Sequence, residues 1–415
     1  MIHDRRSPRS QALRAAVDPR RAARVADLAY VTDAVPGIRR VRSGRGFRYV
    51  GPDGRPLQAP RERERIRRLV VPPAWRDVWI GPDPHGHIQA IGRDARGRRQ
   101  YRYHPRWRQL RDEAKFSRMV AFGRALPAIR ARVDAALSGP GLGREKVLAL
   151  VVRLLEITLI RVGNEEYARE NASFGLTTLR RRHVAVSGEQ LRFRFRGKSG
   201  KEHALGIRDR RLSRIVKRCQ ELPGQELFRY VDDRGRKRGV GSADVNAYLR
   251  AVSGRDFTAK DFRTWAGTVR AAYALSALEP FSSIRQAKRN LARAVESVAA
   301  RLGNTPAICR RCYIHPVVVD AYLGRKLAGA LRKRVSRPRT GGLNPHEQSV
   351  LDMLVAHSSS RLPARAGGVP GAARAKVAAP AWRRFACSSS ARIRWSAAGL
   401  LRCSRASPAS SSRGR

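Results

Sequence analysis

Acidic residues are scarce in this sequence of 415 residues, because 33 Asp and Glu stand against 87 Lys and Arg, which leaves a net charge of +54. An excess of this size argues against an enzyme of small neutral metabolites and favours a polyanionic partner. It is not confined to the ends: residues 361–415 hold 12 basic and no acidic side chains, residues 1–25 add five net charges, and about +37 remains between them. The shortage of carboxylates also disfavours a metal-dependent catalytic centre.

Cysteines and long apolar runs are also in short supply. Five cysteines, an odd number, give no disulfide framework in a chain of this size. Cys309 and Cys312 have the spacing of a metal knuckle but lack the second pair that a tetrahedral zinc site needs. The longest apolar stretch, residues 147–162, contains three charged side chains and cannot supply the ~20 residues of a membrane span. Residues 1–25 contain no apolar run of the ~7–15 residues typical of a secretory leader, so we expect a cytoplasmic protein.

What is present predicts an α+β fold. At 42% hydrophobic residues the chain can bury a core. Short apolar runs between Pro and Gly turns in residues 41–103 predict a β-rich unit, with an antiparallel pair formed by residues 78–80 and 87–91. Helical periodicity dominates afterwards. We predict a basic N-terminal extension at 1–28, a β-rich domain at 29–108, a mainly helical domain at 109–335 and a basic, largely disordered tail at 336–415.

The helical domain contains two informative patterns. Apolar residues at three-and-four spacing predict one long helix over residues 145–167. In residues 191–196 Leu and Phe alternate strictly with Arg, a Gly-Lys-Ser-Gly turn follows, and residues 201–207 return. This predicts a β-hairpin with one apolar face, one cationic face and Lys198 at its tip. Further helices are predicted at residues 244–252, 261–278, 284–302 and 317–332.

Metal-free chemistry on a phosphodiester requires fixed cations for the non-bridging oxygens, an aligned nucleophile and a proton for the leaving oxygen. Arg161, surrounded by Leu and Ile, is a candidate for binding an anion, and so is Arg263. Each could instead be a core arginine paired with a neighbouring acid: Glu165 or Glu166 for Arg161, and Asp261 for Arg263.

Two further residues could complete such a site. Lys198 is one of only 11 lysines and could donate a proton at the hairpin tip, although a solvated turn lysine is the commoner case. Tyr313 could be the nucleophile, with its phenolate stabilised by Arg310 and Arg311, although a packing aromatic is the plainer interpretation. None of these residues is specific alone.

Their order and surrounding motifs resemble the poxvirus-like bacterial type IB DNA topoisomerases over about residues 30–331. The matching segments are residues 71–75, 97–103, 161–167, 175–179, 195–198, 260–264 and 303–313. The resemblance implies a clamp around duplex DNA and a 3′-phosphotyrosyl intermediate, with one strand cut, swivelled and resealed without ATP or metal. It also implies a monomer that acts near the nucleoid.

The resemblance assigns roles to five residues. Tyr313 would be the nucleophile, Arg161 and Arg263 would clamp the scissile phosphate, and Lys198 would be the general acid toward the leaving 5′-oxygen. Asn304 stands nine residues before the tyrosine, where the viral enzymes have histidine. Asn can donate a hydrogen bond to a phosphate oxygen but cannot become cationic.

Candidate DNA contacts complete the expectations. By resemblance, Gln100, Tyr101 and Tyr103 of the small domain and Tyr167 would face DNA; ordinary packing is the alternative. The hairpin arginines would bind phosphates and release counterions; they are Arg192, Arg194 and Arg196. Two rival functions remain open: a tyrosine recombinase, although residues 260–263 lack that group's His-x-x-Arg box, and a non-catalytic architectural DNA-binding protein.

Overall fold

The computed structural model describes residues 18–278, 280–332 and 342–360. Over these residues the fold is α+β, with a small N-terminal sheet followed by a larger helical region, as predicted. Residues 1–17 and 361–415, which include most of the predicted tail, lie outside this description. Within the described residues no helix combines the length and apolar character that crossing a bilayer would require.

The N-terminal region is built on a five-stranded antiparallel sheet. Its elements are α1 (Pro19–Val25), β1 (Ile38–Ser43), β2 (Gly46–Val50), α2 (Pro60–Arg68), β3 (Arg76–Ile80), β4 (Ile88–Arg93) and β5 (Arg99–Tyr103). The strand order in the sheet is β2-β1-β3-β4-β5. The predicted antiparallel pair is β3 with β4, where Trp79 faces Ile91 and Ile80 faces Ala90. Ile80 and Ile66 of α2 are buried in the small core that covers one face of this sheet.

Helix α3 (Pro105–Ser138) connects this region to the rest of the protein. Its 34 residues correspond to a length of about 51 Å at 1.5 Å per residue. The helix begins at Pro105, and the His104 ring accepts a hydrogen bond from the Arg106 backbone N–H at 3.1 Å. Near its start Trp107 packs against α1, and further along Phe122 is buried in the main core. One helix therefore contributes to the main core and to a separate cluster that Trp107 forms with α1, and it runs through the domain boundary that we predicted after residue 108.

The helical region contains ten further helices and five strands among the described residues. The elements are α4 (Arg144–Thr158), α5 (Glu165–Asn171), β6 (Val184–Ser187), β7 (Gln190–Arg196), β8 (Glu202–Arg208), α6 (Arg210–Glu221), β9 (Arg229–Val231), β10 (Lys237–Gly239), α7 (Ser242–Ser253), α8 (Ala259–Ser276), α9 (Ile284–Leu302), α10 (Pro306–Tyr313), α11 (Pro316–Leu323), α12 (Leu327–Arg332) and α13 (Pro345–Ser360). The single helix predicted over residues 317–332 is interrupted after Leu323, where Arg325 has a left-handed φ of 56°.

The long helix predicted over residues 145–167 is wrong in its second half. Helix α4 ends at Thr158, and the next residue, Leu159, has a left-handed φ of 58°. The following residues, 159–164, have no regular secondary structure, and the Arg161 carbonyl accepts a hydrogen bond from the Leu176 N–H at 2.9 Å. Asn164 then caps a new helix, α5, by accepting the Tyr167 N–H at 2.9 Å. Apolar spacing cannot distinguish this irregular apolar segment from a continuing helix.

The hairpin prediction is confirmed. Strands β7 and β8 pair antiparallel from Gln190 with Arg208 to Arg196 with Glu202, and β6 adds a third strand beside β7. Burial alternates strictly along β7: Leu191, Phe193 and Phe195 are buried, and the arginines between them are exposed. A short turn, Lys198–Gly200, joins the two strands.

The expectation of a largely disordered segment at residues 336–415 does not hold for helix α13. Its residues Val350 and Leu354 are almost fully buried in the main core. Glu347 accepts hydrogen bonds from Arg130 at 2.8 Å and from the Trp265 indole at 3.1 Å. Arg130 also contacts Glu156 at 2.6 Å, and these carboxylates hold the pKa of the guanidinium above its ordinary value. The low-complexity appearance of the neighbouring residues hid a helix that is held by tertiary contacts.

We expect Arg130→Ala to lower the free energy of unfolding by about 3–5 kcal/mol, because it leaves the buried carboxylate of Glu347 without its cation. Glu156 loses one of its two cations and keeps Arg153 at 3.1 Å. Arg132→Ala is the matched control: this arginine pairs with Glu145, but its side chain is 61% exposed. That change should cost less than about 1 kcal/mol. Urea denaturation monitored by tryptophan fluorescence measures both values, and equal losses would contradict the assigned role of the Arg130 cluster.

Candidate active site

Arg263 is a charged side chain buried in the first turns of α8, only 3% exposed. It donates hydrogen bonds to the carbonyls of Leu159 and Leu302, the latter at 2.7 Å. Leu159 and Leu302 lie at the C-terminal ends of α4 and α9, where carbonyls lack helical partners and the helix dipole is negative. Helix ends therefore offset part of the charge of Arg263. The acid considered as its partner, Asp261, instead accepts hydrogen bonds from Thr258 and Arg118.

Arg161 lies close to Arg263, on the irregular segment that follows α4. Its guanidinium donates to the Gly303 carbonyl at 3.4 Å and to the side-chain oxygen of Asn304. Glu165 and Glu166, the acids considered as partners, are exposed at the start of α5. Burial lowers the pKa of Arg161 from its ordinary value, and repulsion by Arg263 lowers it further. Among the described residues neither arginine forms an ion pair with a carboxylate, so the positive charge of the two guanidiniums is not neutralised there.

Two hydrogen-bond donors in this cluster are buried and unsatisfied. The Nε of Arg263 and the Nδ2 of Asn304 have no hydrogen-bond partner among the described residues. Buried donors are normally paired, since an unpaired one costs about 1–3 kcal/mol. Together with the unpaired cations, these donors form a site suited to a group that is anionic and rich in acceptor oxygens.

Tyr313 ends helix α10, which begins at Pro306 after the cap residue Thr305. The guanidinium carbon of Arg263 lies 5.2 Å from the centre of its ring. Arg161 also interacts electrostatically with Tyr313. Arg310 and Arg311 are exposed on the same helix, and their stabilising effect on the phenolate stays a prediction. Arg310 lies three residues before Tyr313, a spacing at which helical side chains are neighbours.

Two residues that fix Tyr313 escaped the sequence analysis. Thr268 donates from its hydroxyl to the Tyr313 carbonyl at 3.2 Å and accepts from the His315 N–H at 3.0 Å. Gly267 lets α8 approach closely, because a Cβ there would lie 2.6 Å from the Tyr313 carbonyl oxygen. A glycine inside a helix lowers the stability of the protein by about 0.5–1 kcal/mol relative to alanine. Gly267 within a predicted helix was therefore a sign, available from the sequence, that another segment packs closely against that position.

Lys198 sits apart from the other four residues in its contacts. Its side chain is exposed, and within the described residues its amine forms no hydrogen bond or ion pair. The turn that carries it nevertheless lies at the site, because the His203 ring contacts both Gly197 and Gly303. The structure thus brings Tyr313, Arg161, Arg263 and Asn304 together. Lys198 lies on a turn beside this cluster, and its amine has no partner among the described residues.

The predicted DNA contacts differ in their surroundings. Arg192, Arg194 and Arg196 project from the exposed face of β7. Tyr101 is 40% exposed and stacks on Tyr103 with ring centres 5.8 Å apart. Tyr103 is partly buried against the cluster that Trp107 forms with α1, and this burial raises the pKa of its phenol.

Gln100 and Tyr167 occupy different positions. The Gln100 side chain donates a hydrogen bond to the Asp94 carboxylate at 3.0 Å, and this contact stabilises the β4–β5 turn. Tyr167 is exposed in the first turn of helix α5, and it lies near Arg98, which belongs to the β4–β5 turn. The tip of the N-terminal sheet and the start of α5 therefore approach each other. As for metals, no cluster of three or more potential ligands occurs in the described ranges.

Comparison with known proteins identifies the family of this site. Residues 104–328 match the family described as eukaryotic DNA topoisomerase I, catalytic core, which covers more than half of the chain. The chain belongs to the type IB DNA topoisomerase family. Residues 46–94 of this topoisomerase match the bacterial DNA topoisomerase IB N-terminal domain. The recombinase alternative is thereby disfavoured.

Individual relatives agree with this family. The topoisomerase is 33% identical over 296 residues to DNA topoisomerase 1B of Acanthamoeba polyphaga mimivirus, covering 69% of this chain and 87% of the relative. It is 22% identical over 236 residues to DNA topoisomerase 1B of Vaccinia virus strain Copenhagen, covering 55% of this chain and 71% of that relative. All five predicted catalytic residues lie inside the range matched to the catalytic core.

We expect Gly267→Ala to slow DNA cleavage by about a hundredfold, because the added methyl group must displace the backbone of Tyr313. Single-turnover cleavage of a labelled duplex measures this rate, and a gel-shift titration should show unchanged DNA affinity. Gly329→Ala is the matched control, since Gly329 lies in helix α12 and a Cβ there meets no atom within 4 Å. Equal rates for the two variants would contradict the role given to Gly267.

Proposed function

We propose that this topoisomerase relaxes supercoiled duplex DNA through a 3′-phosphotyrosyl intermediate formed by Tyr313. Arg161, Arg263 and Asn304 bind the non-bridging oxygens of the scissile phosphate, and Lys198 protonates the leaving 5′-oxygen. The observation that carries the proposal is the pair of adjacent guanidiniums beside Tyr313, which lack a carboxylate partner within the described chain. A DNA phosphate between them relieves the repulsion that lowers the pKa of Arg161.

The first step is attack of the Tyr313 oxygen on phosphorus. The P–O bond to the tyrosine forms, the P–O5′ bond breaks, and the phenol proton passes to water. Negative charge grows on the non-bridging oxygens in the transition state, where Arg161 and Arg263 are already in place. Their hydrogen bonds to helix-end carbonyls hold the guanidiniums in position before DNA arrives.

The unsatisfied donors have a direct use in this step. The Nε of Arg263 and the Nδ2 of Asn304 each gain an acceptor when a phosphate oxygen enters the cluster. Asn304 is oriented by its other amide atom, because its oxygen accepts from Arg161. Asn304 therefore contributes a neutral hydrogen bond at a position where a histidine could add charge.

The leaving 5′-oxygen needs a proton that the two arginines cannot readily supply. Lys198 is suited to donate it, because its ammonium is exposed at the tip of a turn and is not engaged by an acid in the described structure. Once the 5′-hydroxyl is free, the DNA downstream of the nick can rotate. Attack of this hydroxyl on the phosphotyrosyl bond then reverses the first step, with Lys198 taking the proton back. Each step exchanges one ester for another, and hence no ATP is needed. The charge stabilisation that a metal could supply is assigned to Arg161 and Arg263.

Double-stranded DNA is held by surfaces on both regions of the protein. The cationic face of β7 presents Arg192, Arg194 and Arg196 to the backbone, and each phosphate they neutralise releases counterions. Tyr101, Tyr103, Tyr167 and Gln100 contact the duplex from the sheet and from α5. We infer a monomer that acts on the nucleoid in the cytoplasm. The presence of all five proposed catalytic residues in one chain and the net charge of +54 support this inference.

The direct test is relaxation of a supercoiled plasmid in EDTA without ATP. Wild type should relax the plasmid completely, and Tyr313→Phe should bind it with similar affinity yet leave its linking number unchanged, because the nucleophilic oxygen is missing. Denaturation during the reaction should trap DNA covalently attached to wild type only. Relaxation by Tyr313→Phe, or a requirement for magnesium, would refute the proposal, and binding without relaxation by wild type would favour an architectural protein.

A second test concerns the cationic face of β7. A variant in which Arg192, Arg194 and Arg196 are all replaced by alanine should show a weaker dependence of affinity on salt. The negative slope of log affinity against log salt concentration should become smaller in magnitude by about 0.9 for each phosphate that the variant no longer neutralises. Arg67→Ala is the control, because Arg67 is highly exposed but already pairs with Glu64. Binding of a labelled duplex is measured by fluorescence anisotropy over a range of salt concentrations. An unchanged slope in the triple variant would show that this face does not contact DNA.

A further inference from the structure

His203 occupies a position on β8 where the alternating pattern calls for an apolar residue. It lies directly opposite Phe195 in the β7–β8 register, and the two rings stack with centres 4.9 Å apart. The next inward-facing residues along the strand are Leu205 and Ile207, both packed on the main core. A polar ring therefore stands at the end of the apolar face of the hairpin, next to the turn that carries Lys198.

The ring is wedged between two backbone segments that each precede a catalytic residue. A Cβ at Gly197, directly before Lys198, would lie 2.6 Å from the His203 Cδ2 and Nε2 atoms. A Cβ at Gly303, directly before Asn304, would lie 2.8 Å from Cε1. Distances this short leave no room for a side chain at either glycine, so the imidazole is in direct contact with both segments. It is a spacer between the hairpin turn and the α9–α10 turn.

The charges around His203 favour its neutral form. Burial lowers the pKa of the imidazole, and the nearby Arg161, Lys201 and Arg263 lower it further, opposed only weakly by Glu202. A charged side chain at this position would add to the repulsion already present between the two buried arginines. A neutral aromatic ring fills the gap without that cost.

We propose that His203 is a positioning residue that holds the Lys198 turn against the Asn304 turn, so that the lysine reaches the leaving 5′-oxygen. This inference rests on the proposed role of Lys198 as the general acid. Removing the ring would leave a gap between the two turns, and the exposed lysine would then spend less time within reach of the 5′-oxygen. The defect should lie in protonation of the leaving group, with DNA binding and the phosphate contacts of Arg161 and Arg263 intact.

Replacing the bridging 5′-oxygen by sulfur separates these steps. A thiolate leaves without protonation far more readily than an alkoxide, because a thiol, with a pKa of about 8.5, is a much stronger acid than an alcohol. We expect His203→Ala to cleave the oxygen-containing duplex about tenfold or more slowly than wild type, in the range of general-acid effects, and to cleave the sulfur-containing duplex at nearly the wild-type rate. The ratio of the two rates, measured in one preparation under single-turnover conditions, does not depend on the fraction of folded protein.

Three comparisons make the result decisive. Leu205→Ala, a loss of packing on the same strand away from both glycines, should leave the ratio of the two rates as in wild type. Lys198→Ala should show the same selective defect as His203→Ala, and the double variant should be no worse than Lys198→Ala alone. If His203→Ala slows both duplexes equally, or adds fully to Lys198→Ala, the proposal for His203 is wrong. If Lys198→Ala itself slows both duplexes equally, the general-acid assignment fails instead, and the inference for His203 fails with it.

Discussion

The site depends on keeping two guanidiniums adjacent and buried without neutralising either of them. An acid would stabilise the pair most simply, but it would also occupy the place of the phosphate. This protein uses carbonyl groups at helix ends instead: Leu159 at the end of α4, and Leu302 and Gly303 at the end of α9. These groups carry only partial negative charge, so Arg161 and Arg263 stay oriented and retain their attraction for an anion.

This constraint explains several otherwise unrelated features. Helix α4 must stop at Thr158 and turn through a left-handed residue, because a continuing helix would consume the Leu159 carbonyl in its own hydrogen bonds. Helix α8 must pass close to Tyr313, and Gly267 allows this approach. Helix α9 ends at Leu302 with Gly303 in a left-handed conformation, which places Asn304 beside Arg161. The proposed catalytic cluster is thus built from the ends of helices more than from their faces.

Much of this arrangement could be predicted from the sequence, and the failures have physical causes. Strict alternation in residues 190–196 identified β7, because a half-buried strand leaves that pattern unambiguously. The break after Thr158 was missed because an irregular segment that packs against the core is as apolar as a buried helix. Arg263 and Arg161 were candidates, but only the folded structure shows that Asp261, Glu165 and Glu166 leave them unpaired. Thr268 and His203 were missed because the contacts of Thr268 with Tyr313 and of His203 with Gly303 join segments that are distant in sequence.

Helix α13 lies downstream of every proposed catalytic residue and outside the segment matched to the family's catalytic core. Its Glu347 completes a cluster with Arg130 on α3 and Trp265 on α8, the helix that carries Arg263. During synthesis on the ribosome, Tyr313, the proposed nucleophile, emerges before helix α13. A nascent chain that has emerged as far as Tyr313 therefore contains all five proposed catalytic residues, yet helix α8 still lacks its contacts with α13. The packing beneath the proposed site is consequently completed only after the site residues themselves have been synthesised.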